Sequence, residues 1–264
     1  MKRLIIICLA AGLMVFTTSV AYAAIKTDDF NDNSRNTSVW NLYQGFPDVW
    51  LDETNQRLEM YSTTSANDAA LYFANNWGFQ PTDDFSLKVD FHYDSTGPRG
   101  SDACVRLGLY KDWDNYLEVA AGCWVGGETF PYFYYEVTDD SKVEEEGEKA
   151  RGTDDGTLYI SYDAAADELY LSDTGYGAGN AWVTIPGLLQ GKWGGDIVGP
   201  FLSGWSRGVS LGSSEAYLSG LSKGGVPHGG EAWLDNFEVT SVPEPATICL
   251  LGLGGLALLR RGRK

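Results

Sequence analysis

From Phe85 to Tyr93 apolar and polar residues alternate without a fault. Phe85, Leu87, Val89, Phe91 and Tyr93 fall on one face of a strand, and Ser86, Lys88, Asp90 and His92 on the other, more polar face. Shorter stretches repeat the theme. Leu58 and Met60 share a face in Arg57–Tyr61, and Ala70–Phe73 is a brief apolar run. Arg106–Tyr110 and Tyr116–Val119 read as a hairpin around Lys111–Asn115, and Phe130–Val137 reads as an aromatic strand with Pro131 near its start. Thr157–Tyr162 and Glu168–Ser172 make a second hairpin around Asp163–Asp167. Trp182–Ile185, Val198–Trp205 and Ala216–Leu218 are short strand candidates, and in Ala232–Thr240 the residues Trp233, Phe237 and Val239 alternate around Asp235-Asn236. Thr27–Trp40 is a polar, turn-rich opening anchored by Phe30 and Trp40, whereas the acidic Thr138–Gly156 reads as a mobile loop. Strands at this spacing, joined by turns and with no internal repeat or linker, predict an all-β antiparallel sandwich over residues 24–241.

The two ends follow another pattern. Residues 1–23 read as a secretory signal peptide: basic Lys2-Arg3, an apolar stretch, then Ala21-Tyr22-Ala23, with cleavage before Ala24. At the other end, Val242-Pro243-Glu244-Pro245 is a stiff turn, and Ala246–Leu259 is uncharged. Arg260, Arg261, Arg263 and Lys264 close the chain. The uncharged run would make a helix of about 21 Å, short of the roughly 20 residues of a comfortable span, and snorkelling arginines extend its reach. Basic residues on one side only favour a cytoplasmic C-terminus.

Charge sharpens the division. Setting aside two cations of the leader and four of the tail leaves 13 basic against 36 acidic side chains, a formal charge of −23 over residues 25–259. That disfavours nucleic acid and anionic membrane as partners of the domain. Export permits a disulfide between Cys104 and Cys123. Pairing Lys111 with Tyr116 sets the two cysteines opposite each other but puts Leu109 against Glu118. Aligning Leu107 and Leu109 with Leu117 and Val119 puts the cysteines on opposite faces. A bulge near Gly122 would reconcile the two; otherwise both are buried thiols.

Val-Pro-Glu-Pro, a short apolar helix containing Gly-Leu-Gly-Gly-Leu, and a terminal Arg-Arg-x-Arg-Lys together resemble the PEP-CTERM sorting signal over residues 242–264. The resemblance implies exosortase as a partner and Pro243, Glu244 and Pro245 as its recognition tripeptide. It also implies transient inner-membrane insertion of the helix, removal of the tail, and a final place at the cell surface or in an extracellular matrix. A second resemblance rests on Asp28-Asp29-Phe30-Asn31-Asp32 with Trp40, Gly108-Leu109-Tyr110, Asn115-Tyr116-Leu117, Gly156–Ile160 and Leu234–Val239. Together these are similar to concanavalin A-like lectin/glucanase jelly rolls. The fold hosts lectins, glycosidases and plain structural modules.

The chemistry is sparse. Family 16 glycosidases, which share this fold, use a Glu-x-Asp-x-x-Glu strand, and that spacing does not occur here. The acids near Glu136, Asp139 and Glu144–Glu146 read as a solvated loop, and no catalytic residue is assigned. His92 and His228 lack a nucleophile motif, and no Cys/His cluster has zinc-ligand spacing. Calcium is the one candidate cofactor. The resemblance lets Asp29 and Asp235 meet where first and last strands pair, although turn chemistry explains the acids equally well. Tyr110, Trp113, Trp124, Tyr132, Tyr134 and Trp205 are candidate sugar platforms, against a background in which most sandwich aromatics are core. The reading is an exported surface or matrix protein with a structural or polysaccharide-binding sandwich. The alternative is a secreted glycoside hydrolase acting on matrix polysaccharide.

Overall fold

The computed structural model describes residues 24–44, 49–62, 67–74, 77–93, 102–124, 130–150, 152–207 and 232–242. The strands are β1 (Ala24–Asp28), β2 (Trp40–Gln44), β3 (Val49–Thr54), β4 (Arg57–Ser62), β5 (Asn67–Ala74), β6 (Asp84–Tyr93), β7 (Asp102–Asp112) and β8 (Asn115–Trp124). They continue with β9 (Phe130–Asp139), β10 (Lys142–Ala150), β11 (Asp155–Asp163), β12 (Glu168–Ser172), β13 (Val183–Pro186), β14 (Gly199–Arg207) and β15 (Ala232–Val242). A π-helical turn spans Leu188–Lys192. One sheet has the order β13-β12-β11-β6-β15-β4-β3, with β1 added on β15; the other runs β10-β9-β8-β7-β14-β5-β2.

Strand β6 alternates as its sequence predicts, burying Phe85, Leu87, Val89, Phe91 and Tyr93. Leu158, Ile160, Leu234 and Val239 join them from the same sheet, and Leu107, Leu109, Leu117, Val119 and Val137 oppose them from the other. The rings of Phe91 and Phe133 meet edge to face across the sandwich at 5.7 Å. Trp40 is the hub at one end, with Phe30, Tyr72, Trp77 and Phe237 around it at 5.2–6.2 Å. Its indole N–H, buried and in need of a partner, donates to Asp28 Oδ2 at 2.7 Å. The polar opening segment thus serves to seat two aromatic anchors.

Three expectations need correction. The hairpin β7–β8 takes the register that aligns Leu107 with Val119 and Leu109 with Leu117. A one-residue slip would turn Glu118 into the core. Cys104 therefore faces Gly122 and Cys123 faces Ala103, no bridge is made at Cys104, which stays a buried thiol, and the bulge falls between Tyr110 and Asp112 rather than near Gly122. The supposed loop after Thr138 contains β10, paired with β9 through the two-residue turn Asp140-Ser141. Both turn residues have positive φ, the I′ geometry whose twist suits a hairpin. In β15 a register shift between Asp235 and Glu238, with Asn236 at φ 51°, reverses the alternation. Leu234 and Phe237 both point inward, and Trp233 turns outward to stack on His92 at 5.2 Å. Ala216–Leu218 lies outside the described residues.

Candidate functional site

The outer face of the seven-stranded sheet carries two rows of side chains set by the pleat. One row runs Glu146, Glu136, Glu118, Gly108, Phe201, Phe73 across β10, β9, β8, β7, β14 and β5. The next runs Glu148, Tyr134, Ala120, Arg106, Ser203, Leu71. Each row is acidic at the β10 side and apolar at the β5 side. Gly108 is the low point between them. A Cβ there would stand 2.2 Å from the Phe201 ring and 2.6 Å from the Leu117 carbonyl oxygen, so only glycine lets that ring lie against the sheet.

Two hollows open on this face and share Arg106. The smaller, about 220 Å³, lies among Leu71, Phe73, Tyr110, Trp113 and Phe201, with Ser203, Asp112 and the Arg106–Glu118 pair at its polar edge. Trp113, 64% exposed on the β7–β8 turn, stands at its rim, 5.2 Å from Phe73 and 5.0 Å from Tyr43. The larger, about 520 Å³, is bounded by Tyr132, Tyr134, Trp205, Cys104, Glu136, Glu146 and Glu148.

Arg106 organises the electrostatics. Its Nη1 meets Glu118 Oε2 at 2.8 Å, its Nε donates to Cys104 Sγ at 3.1 Å, and its guanidinium lies 5.5 Å from the Trp205 ring centroid. Burial pushes the Glu118 carboxyl up; Arg106 opposes that and nearby Glu136 adds to it. Glu136 is an acceptor throughout. Tyr116 and Thr138 hydroxyls donate to Oε1 at 2.8 and 3.1 Å, and the Tyr134 hydroxyl lies 2.7 Å from Oε2. Tyr134 also reaches Glu146 Oε2 at 3.1 Å. Burial, then hydrogen bonding to these carboxylates, holds the Tyr134 phenol well above its ordinary value, and burial first pushes Tyr116 up to about 12.

Of the aromatics singled out in the sequence, Tyr110, Trp113, Tyr132, Tyr134 and Trp205 come together on this face. Trp124 ends β8, and its ring lies outside the described residues. Sequence reasoning missed Arg106, Glu118, Glu136, Phe73, Phe201 and Ser203. Their signal was parity: with Leu107, Leu109, Leu117 and Val119 inward, Arg106 and Glu118 must point outward. Glu146, read as a loop acid, is a strand residue at this site, and Glu136, grouped with it, lies on the strand expected over Phe130–Val137. Elsewhere, His92 Nδ1 contacts Asp155 Oδ1 at 2.7 Å, and His228 lies outside the described residues. The Asp235 carboxyl is pushed up by burial first, with the charges of Asp90 and Asp29 adding to it. Asp90 is engaged by Asn236 and Thr157, and among the described residues no three acidic, His or Cys side chains form a metal-holding group. Ala24 opens β1, whereas Ala21, Ala23, Pro243, Glu244, Pro245 and the 246–259 run lie outside the described residues.

Residues 241–264 match the PEP-CTERM protein-sorting motif. No curated protein matches the chain in sequence. Among solved structures, a candidate β-glucanase from Mycobacterium abscessus is 13% identical, covering 82% of this chain and 98% of its own, with a TM-score of 0.51. The winged bean acidic lectin in complex with methyl-α-D-galactose is 11% identical, covering 83% and 99%, also at 0.51. At such identity the likeness concerns the fold. The chain thus ends in a sorting motif that supports an exported, sorted protein, and its domain has the two-sheet jelly-roll fold seen in those lectin and glucanase structures.

Proposed function

We propose that the outer face of the seven-stranded sheet binds extracellular polysaccharide without cleaving it, and that the protein does so at the cell surface or in the matrix. The observation that carries this reading is the shape and lining of the groove. Rings of Tyr110, Trp113, Phe73, Phe201 and Trp205 lie along it, with hydroxyls and carboxylates between them. Flat apolar rings with polar groups at their edges match the alternating faces of a sugar. Against hydrolysis stands the state of the nearest acid pair. Glycosidases need two carboxyls free to act on one bond. Here Glu118 is 3% exposed and held by Arg106, and Glu136 is occupied by three hydroxyls.

Delivery follows from the ends. The sorting-motif match supports processing by exosortase at Pro243-Glu244-Pro245, after transient insertion of Ala246–Leu259 in the inner membrane. The leader is removed before Ala24, after Ala21-Tyr22-Ala23. A glycan-array screen of the secreted protein tests the binding. We expect a restricted set of polysaccharide fragments to bind, with Trp113→Ala weakening them about ten-fold, the loss of one stacked ring. If no glycan binds, or Trp113→Ala leaves affinity intact, the groove is not the site. Release of reducing ends from a bound polymer would restore the hydrolase reading.

A further inference from the structure

The row Glu118–Glu136–Glu146 places three carboxylates on neighbouring strands of one face. Residues directly opposite in such a ladder have Cβ atoms about 5 Å apart, close enough for like charges to repel. Arg106 answers Glu118, and it is the only cation among the described residues lining either hollow. Glu136 Oε1 takes the Tyr116 and Thr138 hydroxyls, and its Oε2 shares the Tyr134 hydroxyl with Glu146, at 2.7 and 3.1 Å. A phenol carries one hydrogen, so it serves one of the two carboxylates at a time. Glu148, in the next row, adds a further negative charge at the same margin.

An independent observation comes from the adjoining hollow. Ser203 is 1% exposed and lines it, and its Oγ is buried without a hydrogen-bond partner. A buried hydroxyl left unmade is costly, and this one can give and accept a hydrogen bond with a polar group seated in the hollow. The groove therefore offers two things to one extended ligand: a hydrogen-bonding hydroxyl at Ser203, and at Glu136, Glu146 and Glu148 a margin of negative charge that Arg106, paired with Glu118, does not answer.

We propose that the polysaccharide taken by this groove contains amino sugars, with a protonated amine over Glu136 and Glu146 and the neighbouring residue against the aromatic half beside Ser203. This inference rests on the groove being a saccharide site. An ammonium group donates three hydrogens to both carboxylates at once and relieves their repulsion. A uronic acid would meet like charge, and a neutral sugar would leave the acid pair as it stands.

The test uses the secreted protein and three oligosaccharides of equal length: a glucosamine oligomer, its N-acetylated counterpart, and a galacturonate oligomer. Titration calorimetry at about pH 5.5 keeps the amines protonated. The glucosamine oligomer should bind about ten-fold more tightly than the acetylated one, the worth of a charge-assisted hydrogen bond, and galacturonate should not compete. Raising the salt should narrow that ratio. Glu146→Gln, at an exposed position that tolerates the change, should abolish the preference, with circular dichroism confirming the fold. Equal affinity for the amine and its acetylated form, or a preference untouched by Glu146→Gln, overturns the amino-sugar inference while leaving a neutral-sugar site. Failure of every oligomer, together with a blank array, overturns the saccharide site itself and the inference with it.

Discussion

Glu53 occupies an inward position of β3, in phase with buried Val49 and Leu51, and is 4% exposed. Its Oε1 is buried without a hydrogen-bond partner. Burial, then the charges of Asp28, Asp32 and Asp52, push its carboxyl up to about 7, with Arg35 opposing. A raised carboxyl binds its proton more tightly in the folded state. The associated stability is therefore complete below the unfolded value near 4.5 and is lost as pH rises through about 7. Between roughly pH 5 and 8 the unfolding free energy should fall by on the order of 2 kcal/mol, and Glu53→Gln should remove that slope and be the more stable protein at pH 8. Urea titrations of both across that range decide it, and parallel profiles would sink the assignment. The same residue explains a strand that pattern reading missed. A carboxylate at a core phase breaks the apolar alternation of Val49–Thr54, and nothing local announces that the fold has buried it.

At the scale of the element, the contrast between β6 and β10 marks what a sequence discloses. One face of β6 is sealed against the opposite sheet, so its period of two is written in full. Strand β10 lies at the edge of its sheet with seven of nine residues exposed, and no apolar phase is demanded of it. Its turn, Asp140-Ser141, and the equivalent Asn55-Gln56 between β3 and β4 adopt positive φ without the glycine that usually signals a hairpin. The groove was legible in its aromatics, because rings stand out, and in Glu118 through the parity of its hairpin, but Glu146 and Glu148 were illegible because they stand on a strand that could not be seen. The charge of β10 also has a protective role at an open edge. Replacing Glu146 and Glu148 together by valine should shift the protein to larger assemblies on size-exclusion chromatography. An unshifted double variant would mean that the edge is guarded by other means.

For the whole molecule, the deciding contact is between the first strand and the last. Strand β1 pairs with the end of β15, Ala24 facing Ser241 and Asp28 facing Phe237, while β6 holds the other side of β15 through to Val242. The described fold thus reaches to the residue before Pro243. Cleavage within the sorting tripeptide should leave the melting temperature of the domain unchanged, whereas truncation before Phe237 should remove a residue of the Trp40 cluster and lower it by more than 5 °C, roughly the effect of 2–3 kcal/mol in a domain of this size. A clipped protein that melts early would show that the tail supports the fold. The pairing also sets how the protein bears load. Pulled by its two ends, Ala24 and Ser241 separate first and the β1–β15 ladder opens one hydrogen bond after another, like a zip. Such a domain yields easily to tension between its two ends.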